Sequence, residues 1–200
     1  FAQNTPLELS ETIAELEKEP PINGIILDLR NNPGGLLDQS IQVADQFLKS
    51  GVIVSMRGRD ASSERSFKAQ PQPDDVDAPM VVLVNAGSAS ASEIVAGALR
   101  DRKRALILGE QTFGKGSVQN LIPLADGTGL KLTVARYYTP SGKSIQAEGI
   151  KPDFEIAWEA PREEETPAFS VREKDLRRHL EQQKAKKDDA KKDDDKKDDV

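Results

Sequence analysis

Three short apolar runs, separated by segments of helical periodicity, constrain the fold of this chain more than any other feature. The runs are NGIILDLR, PMVVLVNA and ALILGE, each of the length of a buried strand. The helical segments place apolar residues on one face, namely Leu37, Ile41, Ala44 and Leu48 in the first and Ile94, Val95, Ala98 and Leu99 in the second. Strands that alternate with helices predict an α/β fold, with a mostly parallel sheet joined by βαβ crossovers.

The segments around this pattern predict further elements. A helix is expected over residues 6–19 with Leu9, Ile13 and Leu16 on its apolar face and Pro20-Pro21 after it, and Gly51 is expected to end the second helix. The candidate strands are VIVSMRGR, ERSFKA, SVQNLIPL, LKLTVARYYTP and GIKPDFEIAW. SVQNLIPL and LKLTVARYYTP predict a β-hairpin with its turn at Asp126-Gly127. The hairpin strand LKLTVARYYTP either supplies an edge for an extended polypeptide or is ordinary sheet structure.

Apolar residues become sparse after about residue 158. We therefore expect one core over residues 1–158 and a charged, largely disordered tail over 159–200, with a short helix at 170–183 left open. The block KAKKDDAKKDDDKKDDV has almost nothing to bury. Such a tail serves as a solubilising terminus or, less commonly, as a docking segment.

The composition excludes several kinds of catalytic site. The chain has no cysteine and one histidine, His179, which lies in the charged run REKDLRRHLEQQK. Thiolate nucleophiles, disulfides and multi-histidine metal centres are therefore excluded, and no cofactor is expected. If the chain is an enzyme, its general base is a lysine or a carboxylate. The net charge of −6 argues against a nucleic-acid partner, and no apolar run is long enough to span a membrane.

A serine cluster stands between the strand PMVVLVNA and the helix that follows it. Ser88, Ser90, Ser92 and Glu93 crowd the start of that helix. One interpretation is a capping box, in which a serine and a glutamate satisfy the free amides of the first turn. The other is a nucleophilic serine at a strand-to-helix turn, where free N–H groups and the helix dipole stabilise an oxyanion, although the GxSxG form is absent.

The segment GEQTFGKGSVQN carries the second candidate group. GEQTFGKG follows a strand and is nearly a Walker A loop, but Gly116 stands where the magnesium-ligating Ser or Thr belongs, and a strand is predicted next instead of a helix. The competing hypothesis makes Lys115 a general base, which requires burial to keep its amine neutral. Its partner is expected to come from the serine cluster.

The loop NNPGG after the first strand is the third candidate. Its glycines allow backbone N–H groups to approach a ligand closely, whereas the simpler interpretation is a tight strand-to-helix connection. Near a nucleophile, one of these N–H groups becomes a candidate oxyanion donor. Asp28 and Arg30 are expected to form structural hydrogen bonds.

Four motifs in this order, LDLRNNPGGLL, NAGSASASEIVAGAL, GEQTFGKGSVQ and ARYYTPSGKSIQAEGIKPD, closely resemble the carboxyl-terminal processing peptidases, or tail-specific proteases. The resemblance covers about residues 1–158 and implies a crotonase/ClpP-like core. It implies that Ser90 is the nucleophile, that Lys115 is the general base, and that Gln119 orients or assists the lysine. It also implies an oxyanion hole formed by the N–H groups of Ala91 and Gly35.

By the same resemblance, the expected activity is cleavage of proteins near exposed C-termini, outside the cytoplasm, as in the periplasm. Family members normally carry a helical region and a PDZ domain before this segment, so we expect the chain to be a catalytic core without them, and homo-oligomerisation stays open. Two alternatives remain: a non-catalytic peptide-binding or assembly module with a misaligned dyad, and, less favoured, a nucleotide binder at GEQTFGKG.

Overall fold

Two four-stranded sheets organise the protein in the computed structural model, which describes residues 1–18, 22–72, 76–157 and 172–176. The helices are α1 (Thr5–Leu16), α2 (Leu37–Asp45) and α3 (Ala91–Asp101), with 3-10 turns at Ala61–Ser63 and Glu173–Asp175. The strands are β1 (Ile25–Asp28), β2 (Gly51–Gly58), β3 (Arg65–Ala69), β4 (Met80–Val84), β5 (Leu106–Gly109), β6 (Ser117–Pro123), β7 (Gly129–Tyr138) and β8 (Phe154–Glu155).

The first sheet is parallel, in the order β1-β4-β5-β8, as the three apolar runs predict. In its register Ile26 lies beside Val81, and Val81 lies beside Leu106. Each parallel connection is long and contains a helix or other chain, as parallel pairing requires. The carboxyl ends of β1, β4 and β5 therefore meet at one edge, from which the NNPGG loop, the serine cluster and the loop before Lys115 all leave the sheet.

The second sheet is antiparallel, in the order β3-β2-β7-β6, and it corrects the prediction of a mostly parallel sheet with one hairpin. Strands β2 and β3 were expected only as strands around a polar connection; they pair with each other and β2 pairs with β7. The short link through Ala61–Ser63 allows only an antiparallel return. The mixed α/β class is confirmed, while the crotonase/ClpP-like layout stays a prediction.

The hairpin of β6 and β7 has its predicted turn, in which Gly127 adopts a φ of 82° and Asp126 Oδ1 accepts the Thr128 N–H at 3.0 Å. However, β7 cannot supply the sheet edge that its sequence suggested, because it lies between β2 and β6. The edge strands of this sheet are β3 and β6, and β6 begins two residues after Lys115.

Two helix boundaries differ from their predictions. Helix α1 ends at Leu16, whose residue is 59% exposed although the helical pattern placed it on the apolar face. Pro20-Pro21 lie outside the described residues. Helix α2 ends at Asp45 and Gly51 instead opens β2, because Phe47 and Leu48 are buried by the turn that follows the helix. Tertiary packing of these two side chains overrides the continued helical spacing.

Helix α3 is enclosed by its neighbours, and every residue from Ala91 to Leu99 is buried. The four predicted apolar positions, Ile94, Val95, Ala98 and Leu99, are each at most 2% exposed. Burial on this scale fixes the position of the helix and therefore of its first turn. The serine cluster is thus attached to the most rigidly packed element of the fold.

Residues 172–176 dock on the core, although they fall within the predicted tail. The N–H of Glu173 donates to the carbonyl of Phe113 at 3.1 Å, and Gln146 Nε2 donates to Glu173 Oε1 at 3.1 Å. These residues form a 3-10 turn, Glu173–Asp175. Most of the predicted helix over 170–183, and the rest of the tail, lie outside the described residues.

Candidate active site

The loops that follow β1 and β4 are joined by a reciprocal pair of asparagines. The Asn31 N–H donates to Asn85 Oδ1 at 2.9 Å, and Asn85 Nδ2 donates to Asn31 Oδ1 at 3.0 Å. A third bond runs from the Ala89 N–H to the carbonyl of Asn32 at 3.0 Å. These bonds bring the NNPGG loop and the serine cluster together, two motifs that lie far apart in the sequence.

The three serines of the cluster have different environments. The Ser88 hydroxyl is buried, donates to the Leu29 carbonyl at 2.7 Å and accepts the Asn85 N–H at 3.0 Å. The Ser92 hydroxyl belongs to a fully buried residue and donates to the Asn32 carbonyl at 2.9 Å. Both hydroxyls therefore hold the loops together. Ser90 is half-buried and is the serine of the three that is accessible to a substrate.

Ser90 occupies a strained turn at the N-terminal end of α3. Its φ of 56° and ψ of −112° place a non-glycine residue in a region of the Ramachandran map that costs about 1–3 kcal/mol. It is the N-cap of α3, and Glu93 forms a capping box with it. The structural interpretation of the cluster is therefore confirmed, and it is compatible with the functional one because the same turn exposes Ser90.

Glu93 is the central residue of the site. Its carboxylate is fully buried and accepts four hydrogen bonds, two on each oxygen. Oε2 accepts the N–H groups of Ser90 at 2.8 Å and Lys115 at 2.9 Å. Oε1 accepts the Thr112 hydroxyl at 2.5 Å and the Gly114 N–H at 2.7 Å. The backbone nitrogens of Ser90 and Lys115 are thus no farther apart than the sum of the two bonds that they make to one oxygen.

The charge state of Glu93 is set by two opposing effects. Burial raises the pKa of its carboxyl to about 7, although all four hydrogen bonds lower it. Backbone N–H groups can only donate, so the observed arrangement is satisfied by the ionised carboxylate. The sequence predicted Glu93 as a helix cap. Its bonds to a loop about 20 residues away could not be inferred from its position in the helix.

The loop that carries Lys115 is held by its backbone. The Gly116 N–H donates to Oε1 of the buried Gln146 at 3.0 Å, and the Tyr137 N–H donates to the Gly116 carbonyl at 2.7 Å. At Gly116 a Cβ atom would collide with the backbone nitrogen of Gln146, which explains the requirement for glycine. Lys115 itself is half-buried, and the fuller enclosure expected of a neutral lysine stays a prediction.

Gln119 lies on β6, and its side chain is exposed. Strand β6 begins at Ser117, and successive side chains of a strand point to opposite faces. Ser117 and Gln119 therefore share one face, while Lys115 lies just before the strand. The predicted contact between Lys115 and Gln119 stays a prediction.

Two backbone N–H groups near Ser90 are unengaged within the described parts of the chain. The later amides of the first turn of α3 bond to backbone carbonyls, while the Ala91 N–H has no partner there. In the NNPGG loop the Gly34 N–H donates to Asn32 Oδ1 at 3.0 Å, whereas the Gly35 N–H, one residue later, is left without one. Neither predicted oxyanion donor is thus engaged by another described group, and their role as donors stays a prediction.

Gly34 keeps the space beside the Ala91 N–H open. A Cβ atom on Gly34 would lie 2.8 Å from the Ala91 nitrogen and 3.0 Å from Ser90 Cβ. We expect Gly34→Ala to lower kcat/KM about a hundredfold in a peptide-hydrolysis assay, because the methyl group would fill the place that the predicted oxyanion needs and would displace the loop.

The matched control for this substitution is Gly127→Ala. Both glycines have positive φ, +100° for Gly34 and +82° for Gly127, so both changes add similar backbone strain. A Cβ on Gly127 would meet nothing within 4 Å. If Gly34→Ala were as active as Gly127→Ala, the space beside Ala91 would have no role in the reaction.

The remaining candidate motifs are structural or lack the geometry that their alternative function needs. Asp28 and Arg30 form an ion pair with each other at 2.7 Å, as expected of structural residues. The loop GEQTFGKG leads into strand β6, which contradicts the nucleotide-binding alternative because a phosphate loop must open a helix.

Within the described ranges no three His, Cys, Asp or Glu side chains cluster as a metal site would. No helix described in the structure is long and apolar enough to cross a membrane.

The chain is similar to known proteins over most of its length. The chain is 48% identical over 183 residues to the carboxy-terminal-processing protease of Bartonella bacilliformis, which covers 90% of this chain and 42% of that protein. It is 48% identical over 153 residues to the carboxyl-terminal-processing protease of a Synechocystis strain, covering 76% of this chain and 35% of that one. The chain thus spans between a third and about two fifths of the length of these relatives.

Solved structures of other proteins also resemble this chain. The structure of the photosystem II D1 C-terminal processing protease superimposes with a TM-score of 0.72 at 43% identity, covering 78% of this chain and 40% of that chain. A putative S41 protease from Bacteroides fragilis, 21% identical, shares the fold with a TM-score of 0.63. The sequence profile of peptidase family S41 matches residues 1–156. The chain therefore belongs to peptidase family S41.

Proposed function

We propose that the protein is a serine endopeptidase that cleaves other proteins near their C-termini, with Ser90 as nucleophile and Lys115 as general base. The observation that carries the proposal is the Glu93 carboxylate, which binds the N–H groups of both residues on one oxygen. This shared acceptor fixes the two loops relative to each other. The chain has no cysteine, and its one histidine lies outside the described residues.

The proposed reaction begins with attack of Ser90 Oγ on the scissile carbonyl carbon. Lys115 Nζ accepts the hydroxyl proton, which requires a neutral amine, and Gln119 assists by orienting the lysine side chain. The N–H groups of Ala91 and Gly35 donate to the oxyanion at the positive end of α3. Lys115 then gives the proton to the leaving amine as the C–N bond breaks, leaving an ester on Ser90.

The second half of the reaction releases the product. Lys115 removes a proton from a water molecule, which attacks the ester carbonyl, and the same two N–H groups stabilise the second tetrahedral intermediate. The Ser90 alkoxide leaves and takes the proton back from Lys115. The balance is one peptide bond hydrolysed by one water, with the serine and the lysine regenerated.

Substrate class and location are part of this proposal. Relatives that are between 43% and 48% identical carry names for carboxyl-terminal processing, which supports proteins with exposed C-termini as substrates. One relative, from Tetradesmus obliquus, is named as chloroplastic. We propose an extracytoplasmic site of action for this protein, such as the periplasm.

Labelling with a fluorophosphonate probe tests the proposal. The probe is expected to modify the protein at Ser90, with no label in Ser90→Ala, and mass spectrometry of the labelled peptide identifies the site. Ser88→Ala and Ser92→Ala should still be labelled at Ser90, since their hydroxyls bridge loops. An unlabelled Ser90 in a folded protein that still binds peptides would favour the alternative of a non-catalytic peptide-binding module.

A further inference from the structure

Two arginines lie side by side on the antiparallel sheet, close to the loop that carries Lys115. Arg57 of β2 is directly opposite Arg136 of β7, and Arg136 is opposite Ser117 of β6. The next residue in β7, Tyr137, is buried and faces the core. Because side chains alternate along a strand, Arg136 points to the opposite, accessible face, together with Arg57 and Ser117.

This face begins beside the lysine loop. Ser117, the partner of Arg136, follows Lys115 by two residues in the chain. The Tyr137 N–H bonds to the Gly116 carbonyl at 2.7 Å, which places β7 directly beside this loop. At the next position Tyr138 is bridged to Ser144, so Lys115 itself lies beyond the paired part of β6. Arg136 therefore lies on the neighbouring strand at the point where the lysine loop enters the sheet.

The charges of Arg57 and Arg136 are compensated unequally. Like charges directly opposite each other on neighbouring strands are destabilising. Arg57 is compensated by Glu64, with Nε 3.0 Å from the carboxylate, and by stacking on the Tyr138 ring at 4.4 Å from its centroid. Arg136 is half-buried and makes no ion pair or side-chain hydrogen bond among the described residues. A partly desolvated guanidinium beside another cation attracts an anion.

We propose that Arg136, with Arg57 beside it, binds a carboxylate of the polypeptide substrate and so sets a preference for acidic or C-terminal groups near the cleavage site. A guanidinium offers two parallel N–H donors that match the two oxygens of a carboxylate. An extended substrate along the free edge of β6 brings such a group to this face. The inference rests on the proposed function for the position of the substrate.

Peptide binding to the Ser90→Ala protein tests this site without depending on turnover. Three fluorescein-labelled decapeptides of Ala, Leu and Ser are compared by anisotropy: one with a free C-terminus, one amidated with a single internal Glu, and one amidated and neutral. Arg136→Gln should weaken binding of at least one carboxylate peptide about tenfold and that of the neutral peptide less than twofold. The peptide that loses affinity identifies the carboxylate as terminal or side-chain.

The control variant is Lys131→Gln, which removes a cation from the far end of β7, opposite Leu121. It should leave all three affinities unchanged, and Arg136→Lys should restore part of the lost affinity. Equal weakening of all three peptides by Arg136→Gln, or no weakening of either carboxylate peptide, would overturn the inference. Hydrolysis by the protein with Ser90 intact is measured separately, so its absence counts against the proposed function alone.

Discussion

Lys115→Ala is expected to lower kcat/KM for peptide hydrolysis at least about a thousandfold, while the protein stays folded. The loss follows from removing the group that accepts the Ser90 proton, since single members of a nucleophile–base pair contribute three to six orders of magnitude. The fold should tolerate the change because the loop is held through backbone groups, including the Lys115 N–H on Glu93. Unfolding by denaturant should therefore differ from wild type by less than about 1 kcal/mol.

Lys115→Arg separates a base from a simple cation. Arginine keeps the positive charge and a similar reach but does not lose its proton in proteins. It should be as inactive as the alanine variant, whereas Lys131→Ala on the exposed part of β7 should be fully active. An active arginine variant would show that Lys115 supplies charge and that another group is the base.

A variant of the one histidine gives a second readout for the same residue. Because Lys115 is the proposed base, His179→Gln should leave kcat/KM and its pH profile as in the wild type. A profile that changes in His179→Gln would assign the base to the histidine instead.

The sequence predicted those parts of the fold that are encoded locally. Three of the four strands of the parallel sheet were expected from a short apolar run, and α3 was expected from four apolar residues at helical spacing. The pairing of β2 with β7 was not expected, because hydrophobic periodicity identifies a strand and its faces but not its neighbour. The end of α2 was placed too late because burial of Phe47 and Leu48 was achieved outside the helix.

In the candidate site, too, the residue types could be predicted from the sequence, whereas their hydrogen-bond partners could not. The residue types and their turns were visible in the sequence: Ser90 before a helix, Lys115 between two glycines, and a glycine-rich loop after β1. The selection among the three serines depended on long-range bonds, since Ser88 bonds to Leu29 and Ser92 to Asn32. These partners are about 60 positions away, and nothing in the local pattern of serines and alanines indicates them.

Glu93→Gln is expected to lower kcat/KM at least about a hundredfold, although Glu93 touches no substrate in the proposed reaction. The amide has the same shape as the carboxylate, but its NH2 group replaces one acceptor oxygen and meets N–H groups that also donate. Either the Ser90 and Lys115 pair or the Thr112 and Gly114 pair then loses its acceptor. Unsatisfied buried donors cost about 1–3 kcal/mol each, and displacement of the lysine loop relieves that cost.

Glu148→Gln, the same substitution at an exposed position, is the control and should match wild type in activity. A positioning role for Glu93 also predicts that fluorophosphonate labelling of Ser90 slows in Glu93→Gln, since the geometry of the nucleophile itself is disturbed. Retention of wild-type labelling and hydrolysis would show that the two loops are held together by other contacts, such as the bond from the Phe113 N–H to the Ser88 carbonyl at 3.0 Å.

The pKa of Glu93 adds a signature that a mutation elsewhere in the core would not produce. Because burial raises this pKa from 4.5 to about 7 in the folded protein, the folded state favours the protonated carboxyl. The protonated Glu93 carboxyl therefore contributes fully to the free energy of unfolding below pH 4.5. As the pH rises through 7 this contribution is lost, and the free energy of unfolding falls by up to about 3 kcal/mol. The four donors, in contrast, are satisfied by the ionised form. Wild type should thus lose unfolding free energy as the pH rises from 4.5 through 7. Denaturant unfolding across this range should show a shallower fall in Glu93→Gln, and parallel curves would exclude Glu93 as the titrating group.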